Sequence, residues 1–393
     1  MRVDNKNEFE CSGCTTCLNI CPVNAITMKA NKEGFLYPNV DEKKCINCGL
    51  CYKACPFSGK WYENNKNNEP IVYAFKNNDN DTREKSTSGG FFSILAEYVI
   101  SNKGVVYGAS LENLVVKHIR VNNIHDISKL RGSKYVQSEL NTIFKQVKKD
   151  LDSKKMVLFS GTPCQIAGLK AFLKKSYDNL ITVDIVCHGV PSSRVFNDHI
   201  LMIEKKYNKK VDNYRFRSKV KGWHEHTEAV LFEKENFEVY KDKYIQSFKF
   251  LYAEHSIIRK SCTNCKFSNL KRVSDITLGD FWGIEKYYKK FDDNKGISLI
   301  LINSAKGKET FNNVKAHGTY IESDTSKCLQ SNLKKPTRIS PNRDAFWKQY
   351  NDKGYDYIIK KYSDLNYKVK LMSFAKRIIP EKLKYKIKEL LKR

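Results

Sequence analysis

No stretch of this 393-residue sequence is apolar for long enough to cross a bilayer. The two longest candidates, FFSILAEYVI (91–100) and GISLILIN (296–303), fall well short of the ~20 residues required, and Glu97 interrupts the first. The N-terminus, MRVDNKNEFECSGC, lacks an apolar segment, so no secretory signal is expected and the reading is a soluble, cytoplasmic protein. Nucleotide signatures are missing too. No G-x-G-x-x-G follows the central strand candidates, which disfavours a standard Rossmann site, and there is no Walker A sequence. Nor is there a nucleic-acid-binding motif, so nucleic acid is not expected as a partner. Acidic residues are scarce: 43 Asp and Glu stand against 70 Lys and Arg, a formal charge of +27. Wholesale disorder is excluded by a composition that is 41% hydrophobic and 29% charged.

What the sequence has in excess is cysteine, thirteen in all. In a reducing compartment, clustered cysteines read as metal ligands or redox centres before they read as disulfides. Residues 11–22, CSGCTTCLNICP, and 45–56, CINCGLCYKACP, both fit C-x2-C-x2-C-x3-C-P, an internal repeat offset by 34 residues. Three thiolates at three-residue intervals can wrap one corner of a cubane cluster, while the fourth points away to the other cluster. The spacing therefore assigns Cys11, Cys14, Cys17 and Cys55 to one [4Fe–4S] cluster. It assigns Cys45, Cys48, Cys51 and Cys21 to the second. Two zinc sites would also use eight cysteines, but zinc motifs rarely carry the triple-plus-proline run twice. Between the repeats, AITM (25–28) and GFLYPNV (34–40) look like short strands around a turn at Asn31–Gly34. A core of roughly sixty residues is marginal alone, so bound metal is expected to hold this segment together.

WYENNKNNEP (61–70) is polar and reads as a linker, and IVYAFK (71–76) as a strand. Ser88, Gly89 and Gly90 open an amphipathic helix, FFSILAEYVISNKG, with Ser88 as the expected N-cap. Glycines at a helix start leave N–H groups open to an anion, although an ordinary capped helix has the same sequence. GVVYGASL (104–111) and VVKHIRV (115–121) look like a hairpin, and RGSKYVQSEL (131–140) leads into a helix. KKMVLFS (154–160), the turn GTPCQ (161–165), the helix IAGLKAFLKK (166–175) and the strand LITVDIVC (180–187) make a βαβ unit with parallel strands. Such a unit puts Cys164 and Cys187 at one sheet edge, where α/β sheets bind ligands. The pair in SCTNCKF (261–267), Cys262 and Cys265, would complete four thiolates, the complement of a third [4Fe–4S] cluster. Zinc, a redox pair at Cys262 and Cys265, or buried structural cysteines at 164 and 187 remain rivals. Cys328 has no partner pattern and reads as structural. His224 and His226 would share a face if they lie on a strand.

Seven segments, in order, carry a family resemblance: STSGG (86–90), GSKYVQS (132–138), SGTPCQIAGL (160–169), CHGVPS (187–192), RFRSKVKGW (215–223), CTNC (262–265) and DITLGDFWG (275–283). In these the chain resembles the beta subunit of coenzyme F420 hydrogenase/dehydrogenase, the coenzyme being a deazaflavin. The resemblance implies a bound FAD and, beside it, a [4Fe–4S] cluster on Cys164, Cys187, Cys262 and Cys265. Ser88, Gly89, Gly90, Lys134, Tyr135, Gln137, Thr162 and Pro163 lie in segments matching the family's flavin region. No catalytic residue is singled out. The expected architecture is α+β or α/β: a two-cluster ferredoxin-like domain followed by a mixed α/β flavin and Fe–S domain. The expected boundaries are 1–64 for the ferredoxin-type domain, 65–150 and 151–345 for the two parts of the beta-subunit-like domain, and 346–393 for a basic helical tail.

That tail carries ten Lys and Arg against two Glu over 366–393. Leu383, Ile387, Leu390 and Leu391 fall on one helical face, so the tail can rest on an anionic membrane surface or pack on its own domain. The expected function is an iron–sulfur flavoprotein oxidoreductase. It would take electrons from a ferredoxin or another redox protein through the clusters to FAD, then to a two-electron carrier or a small substrate such as coenzyme F420. The competing expectations are an electron-transfer subunit serving a partner enzyme, with surface polysaccharide biosynthesis as one setting, and an Fe–S binding or sensor protein without flavin.

Overall fold

The computed structural model describes residues 2–58, 69–363 and 365. The expected linker (61–70) and the basic helix after Pro380 fall wholly or almost wholly outside these residues.

The described residues form twelve strands: β1 (Ile26–Ala30), β2 (Leu36–Val40), β3 (Ile71–Asn77), β4 (Val105–Glu112), β5 (Val115–Val121), β6 (Val157–Gly161), β7 (Leu180–Ile185), β8 (Val211–Ser218), β9 (Thr227–Phe232), β10 (Ile276–Asp280), β11 (Ser298–Ile302) and β12 (Gly318–Ser323). β1 and β2 pair antiparallel, Ile26 opposite Val40, around a turn closed by Gly34 N–H on the Asn31 carbonyl at 2.9 Å. This is the expected ferredoxin-like hairpin.

Eight strands make one mixed sheet in the order β12-β3-β11-β10-β7-β6-β4-β5. Its centre, β4, β6, β7 and β10, is parallel, while β5, β11, β3 and β12 run antiparallel to their neighbours. β11 is SLILI with every residue buried, as a strand covered on both faces should be. Side chains alternate between the faces. Val106, Leu158 and Ile181 meet the helix Phe91–Ser101 on one face. Val105, Tyr107, Val157 and Phe159 meet the helix Pro163–Leu173 on the other. The βαβ unit expected over 154–187 is present, with β6 and β7 parallel and the helix between them.

A second core gathers beneath the β8–β9 hairpin. It joins the helix Ser193–Tyr207 (Phe196) and the helix Ser247–Ala253 (Phe248) to the helices Arg343–Lys353 and Tyr355–Tyr362. Phe346, Trp347, Tyr350, Tyr355, Ile358 and Ile359 are buried there, so the two helices spanning 346–362, expected in a basic tail, pack one face each into this core. Among the described residues no helix is long and apolar enough to cross a membrane.

Several local expectations change. The helix at 91 is capped by Gly90 at φ +84°, not by Ser88, whose hydroxyl donates to the Ile297 carbonyl at 2.7 Å. GTPCQ is not a turn. Thr162 caps a helix that starts at Pro163 and includes Cys164, and Gln165 closes the capping box by accepting from the Thr162 N–H at 2.8 Å. Residues 131–140 lead into a helix only at Ile143. His224 and His226 lie between β8 and β9, not on a strand, and part company: His224 pairs with Asp292 at 2.7 Å, whereas His226 packs beside Tyr135.

Candidate functional site

Each cysteine run wraps through two left-handed residues. Gly13 and Thr15 have φ of +71° and +61°, and Asn47 and Gly49, 34 positions on, have φ of +53° and +70°. Thr15 and Gly49 then start the short helices Thr16–Ile20 and Leu50–Lys53. The internal repeat is thus conformational as well as sequential. The crossing expected from the spacing is visible in one set: Cys11, Cys14, Cys17 and Cys55 line one small cavity with Met28, Pro38 and Phe57. Burial first, then the Cys55 sulfur, pushes the Cys14 thiol up to about 11. In the other run, the Cys51 thiol is raised by burial and by Cys48. Cys21 receives the Ala25 N–H at 3.3 Å, and Cys48 is exposed.

The later four thiols also converge. Cys164 stands on the first turn after β6, Cys187 two residues past β7, and Cys262 and Cys265 on the short 3-10 turn Lys260–Asn264 and its cap. Burial pushes Cys187 and Cys262 up to about 12 and Cys164 higher still. Smaller contributions come from the other sulfurs of the group: Cys187 and Cys265 act on Cys164, and Cys262 and Cys265 on Cys187. Buried thiols do not ionise without a positive charge to share the site, and iron supplies one. The donor set therefore fits a thiolate-bound cluster. Among the described residues no three His, Cys, Asp or Glu are gathered closely enough for a single metal ion. A single four-thiolate ion needs sulfurs only about 3.8 Å apart, from a bond of about 2.3 Å; a four-iron cube spaces them more widely. Cys328 is buried apart from these groups, its Sγ 3.6 Å from the Thr325 carbonyl.

The two regions touch. The Thr16 hydroxyl donates to the Gly168 carbonyl at 2.9 Å, and a Cβ on Gly168 would stand 2.9 Å from the Cys14 Cβ and 3.1 Å from its Sγ. The absent side chain at 168 lets the helix bearing Cys164 lie against the first cysteine run. The Cys14 sulfur accordingly contributes to the electrostatics of Cys164.

On the other side of Cys187 opens a cavity of about 1260 Å³, at the C-terminal ends of the parallel strands β6, β7 and β10. Five of the eight residues expected at a flavin line it: Ser88, Gly90, Lys134, Tyr135 and Thr162. Gly89 lies behind the wall, where a Cβ would meet the Phe75 carbonyl at 2.2 Å. Pro163 is not in the wall, and Gln137 turns away to accept from Arg259 at 3.0 Å. Burial lowers Lys134 to about 7, and its ammonium donates to the Lys129 and Arg131 carbonyls at 3.1 and 2.7 Å. Lys219, also lowered by burial to about 7, ties the Ser88 loop down through the Ser88 carbonyl at 2.7 Å. The cavity wall also holds His226, whose Nε2 is buried without a hydrogen-bond partner. Burial lowers that imidazole to about 3.

The sequence reading did not single out His118 or Trp282 as lining residues. His118 is held by Ser138 at Nδ1 and the Ser160 carbonyl at Nε2, both at 3.0 Å. Trp282 stacks on Trp223 at 4.7 Å and 7°, with Arg217 above it at 5.1 Å. Only Trp282, in the quoted DITLGDFWG, had a sequence signal. The room fits a large planar cofactor: it exceeds the roughly 300–1,000 Å³ of ordinary ligand pockets, and its floor carries the open N-terminus of the helix Phe91–Ser101.

Comparison with known proteins bears on these two regions. Residues 10–58 match the model of a 4Fe-4S dicluster domain, and residues 37–86 match a second model of the same description. Residues 154–327 match the model for the C-terminal part of the beta subunit in coenzyme F420 hydrogenase/dehydrogenase. A chain in a xenon-derivatised structure of the F420-reducing [NiFe] hydrogenase complex from Methanosarcina barkeri is similar at 18% identity, over 75% of this chain and 91% of that one. The TM-score is 0.44, too low to carry any argument. No curated protein matches. The chain is an iron–sulfur electron-transfer protein that carries a 4Fe–4S dicluster segment and, over residues 154–327, is related to the C-terminal part of the coenzyme F420 hydrogenase/dehydrogenase beta subunit.

Proposed function

We propose that this protein is a flavin-dependent oxidoreductase with three [4Fe–4S] clusters in line. The order runs from the set of Cys45, Cys48, Cys51 and Cys21, through Cys11, Cys14, Cys17 and Cys55, to Cys164, Cys187, Cys262 and Cys265, and then to FAD in the large cavity. The flavin, when bound, supplies the exchange between one-electron flow and two-electron chemistry. The observation that carries the reading is the position of the third thiol group. Its member Cys187 lines the cavity, while Cys164 feels Cys14 across the Gly168 contact.

The chain's own residues do the rest. Gly90 and the helix N-terminus behind it, which no side chain caps, offer N–H groups to a phosphate. Lys219 and Arg83 fix the loop that carries them: Arg83 donates to the Gly296 carbonyl at 3.0 Å and pairs with Asp293. Tyr135 and Tyr252, with ring centroids 5.2 Å apart, exclude water from one wall. His226 stays neutral, so its free Nε2 can accept or donate a hydrogen bond inside the cavity. The exposed Cys48 marks where a one-electron partner, a ferredoxin or a partner oxidoreductase subunit, would meet the first cluster. The two-electron acceptor is a soluble carrier such as coenzyme F420 or a small molecule that shares the cavity with the flavin.

The test is anaerobic purification followed by iron, sulfide and released-flavin analysis. About twelve iron atoms and one FAD per chain are expected from three four-iron clusters. About eight iron and no flavin would overturn the reading and leave only the ferredoxin segment. Turnover separates an enzyme from an electron carrier. A loaded chain that accepts electrons from reduced ferredoxin but reduces neither coenzyme F420 nor any other two-electron acceptor serves a partner's active site.

A further inference from the structure

Arg259 is fully buried and bonds to both of the thiol-bearing segments that approach one another. Its backbone is fixed on the later group's side: its N–H donates to the Val190 carbonyl, and its carbonyl accepts the Cys262 N–H, both at 3.0 Å. Its side chain reaches the other way. Nε donates to the Cys11 carbonyl at 2.8 Å, and Nη1 to Gln137 Oε1 at 3.0 Å. The guanidinium lies over the Tyr37 ring at 4.0 Å. Nη2 is buried and has no acceptor.

What Arg259 lacks is an anion. Among the described residues no carboxylate lies within 4.0 Å of it, and nearby acids are taken. Glu8 pairs with Lys260, and Glu33 with Arg343. Burying a charged guanidinium without a counter-charge is costly, and natural proteins compensate such charges. The negative charge available here is that of thiolate-bound iron. Cys11, whose carbonyl accepts from the guanidinium, belongs to one set, and Cys262, whose N–H donates to the Arg259 carbonyl, belongs to the other.

We infer that Arg259 is a counter-cation shared by the Cys11 cluster and the Cys262 cluster, a positioning residue that raises the reduction potential of both. The inference rests on the three-cluster reading above. Reduction adds negative charge to a cluster, so a cation fixed in a dry setting between two clusters favours the reduced form of each. It also keeps the two potentials moving together, which suits electron transfer between neighbours. A purely mechanical strut would hold the loops together and leave the potentials alone.

The experiment compares the full wild-type chain with Arg259→Gln, Arg259→Lys and Gln137→Glu, purified without oxygen. Iron per chain is measured first, then reduction is followed by electron paramagnetic resonance at controlled potential. R259Q is expected to keep its iron yet lower the reduced-to-oxidised ratio on the order of tenfold at a potential that half-reduces the wild type. R259K restores most of that ratio. Q137E leaves Arg259 in place and sets a carboxylate against Nη1, so it shifts the ratio the same way without removing the strut. Should R259Q fail to fold or lose iron, Q137E decides. A fully loaded R259Q or Q137E that titrates as the wild type does overturns the inference. Wild-type protein with only about eight iron atoms overturns the shared role by removing one of the two clusters. A change in the ferredoxin signals alone would then locate the failure in the three-cluster reading, not in the charge of Arg259.

Discussion

Thr16 and Gly168, 152 residues apart in sequence, are joined by a hydrogen bond of 2.9 Å from the threonine hydroxyl to the glycine carbonyl. The bond joins the dicluster segment to the helix that carries Cys164. Here a Cβ would meet the Cys14 sulfur at 3.1 Å. Gly168→Ala should therefore push the segments apart. Overpacking of this kind costs roughly 1–3 kcal/mol. On the flavoprotein reading proposed above, the cost should fall on the junction: iron and flavin content stay at the wild-type level, but electron transfer from dithionite-reduced dicluster to flavin slows in stopped-flow absorbance. An unchanged transfer rate in G168A would show that the approach at Gly168 does not set the path.

Cys55 lines the cavity of Cys11, Cys14 and Cys17 although it belongs to the second sequence run. Cys55→Ala should abolish the magnetic signal of the cluster nearest Gly168 and spare the exposed one. Cys21→Ala should do the reverse. Iron content should fall by about four atoms in each variant. Loss of the same signal from both variants would contradict the crossed assignment.

Gly89 is closed in by backbone: its Cβ would meet the Phe75 carbonyl at 2.2 Å and the Ser298 N–H at 2.5 Å. Ala at 89 must move the Ser88–Gly90 loop, which Lys219 and the Ile297 carbonyl otherwise anchor. Gly89→Ala is expected to lose most of its released flavin in fluorescence assay while retaining the iron of wild type. Full flavin occupancy in G89A would place the cofactor phosphate elsewhere in the cavity.

Much of this was legible in the sequence, and for a physical reason. The cysteine runs, the parallel βαβ unit and the β4–β5 hairpin are local patterns, fixed by spacing and by period-two alternation. The convergence of Cys262 and Cys265 with Cys164 and Cys187 is not local, and spacing left zinc or a redox pair open. Arg259 gave no signal at all, because a buried arginine reads like any other in a chain with 70 basic residues. Gln137 was placed at the flavin by its neighbours in GSKYVQS, and its actual partner, Arg259, is 122 residues away. The assignment of Ser88 as cap failed since the helix begins two residues later, after a left-handed Gly90, and the Ser88 hydroxyl bonds the Ile297 carbonyl instead.

His199 makes the last prediction, about acid stability. It is fully buried in the second core, with Nδ1 at 2.9 Å from the Tyr355 hydroxyl and Nε2 at 3.2 Å from that of Tyr214. Burial lowers it from 6.5 to about 3, so the folded protein holds it neutral. Below about pH 6.5 the unfolded chain binds a proton there that the folded chain does not, and stability falls as pH drops from 6.5 towards 3. The slope approaches about 1.4 kcal/mol per pH unit for one such histidine. His118, lowered by burial to about 4, adds a second contribution of the same sign over a narrower window. His199→Gln can keep a hydrogen bond to a tyrosine but has nothing to titrate, so it should be less stable than wild type at pH 7.5 and lose less on acidification. Urea unfolding of both proteins between pH 7.5 and 5 measures the difference. Parallel stability profiles would mean that the second core opens enough to protonate His199 while still folded.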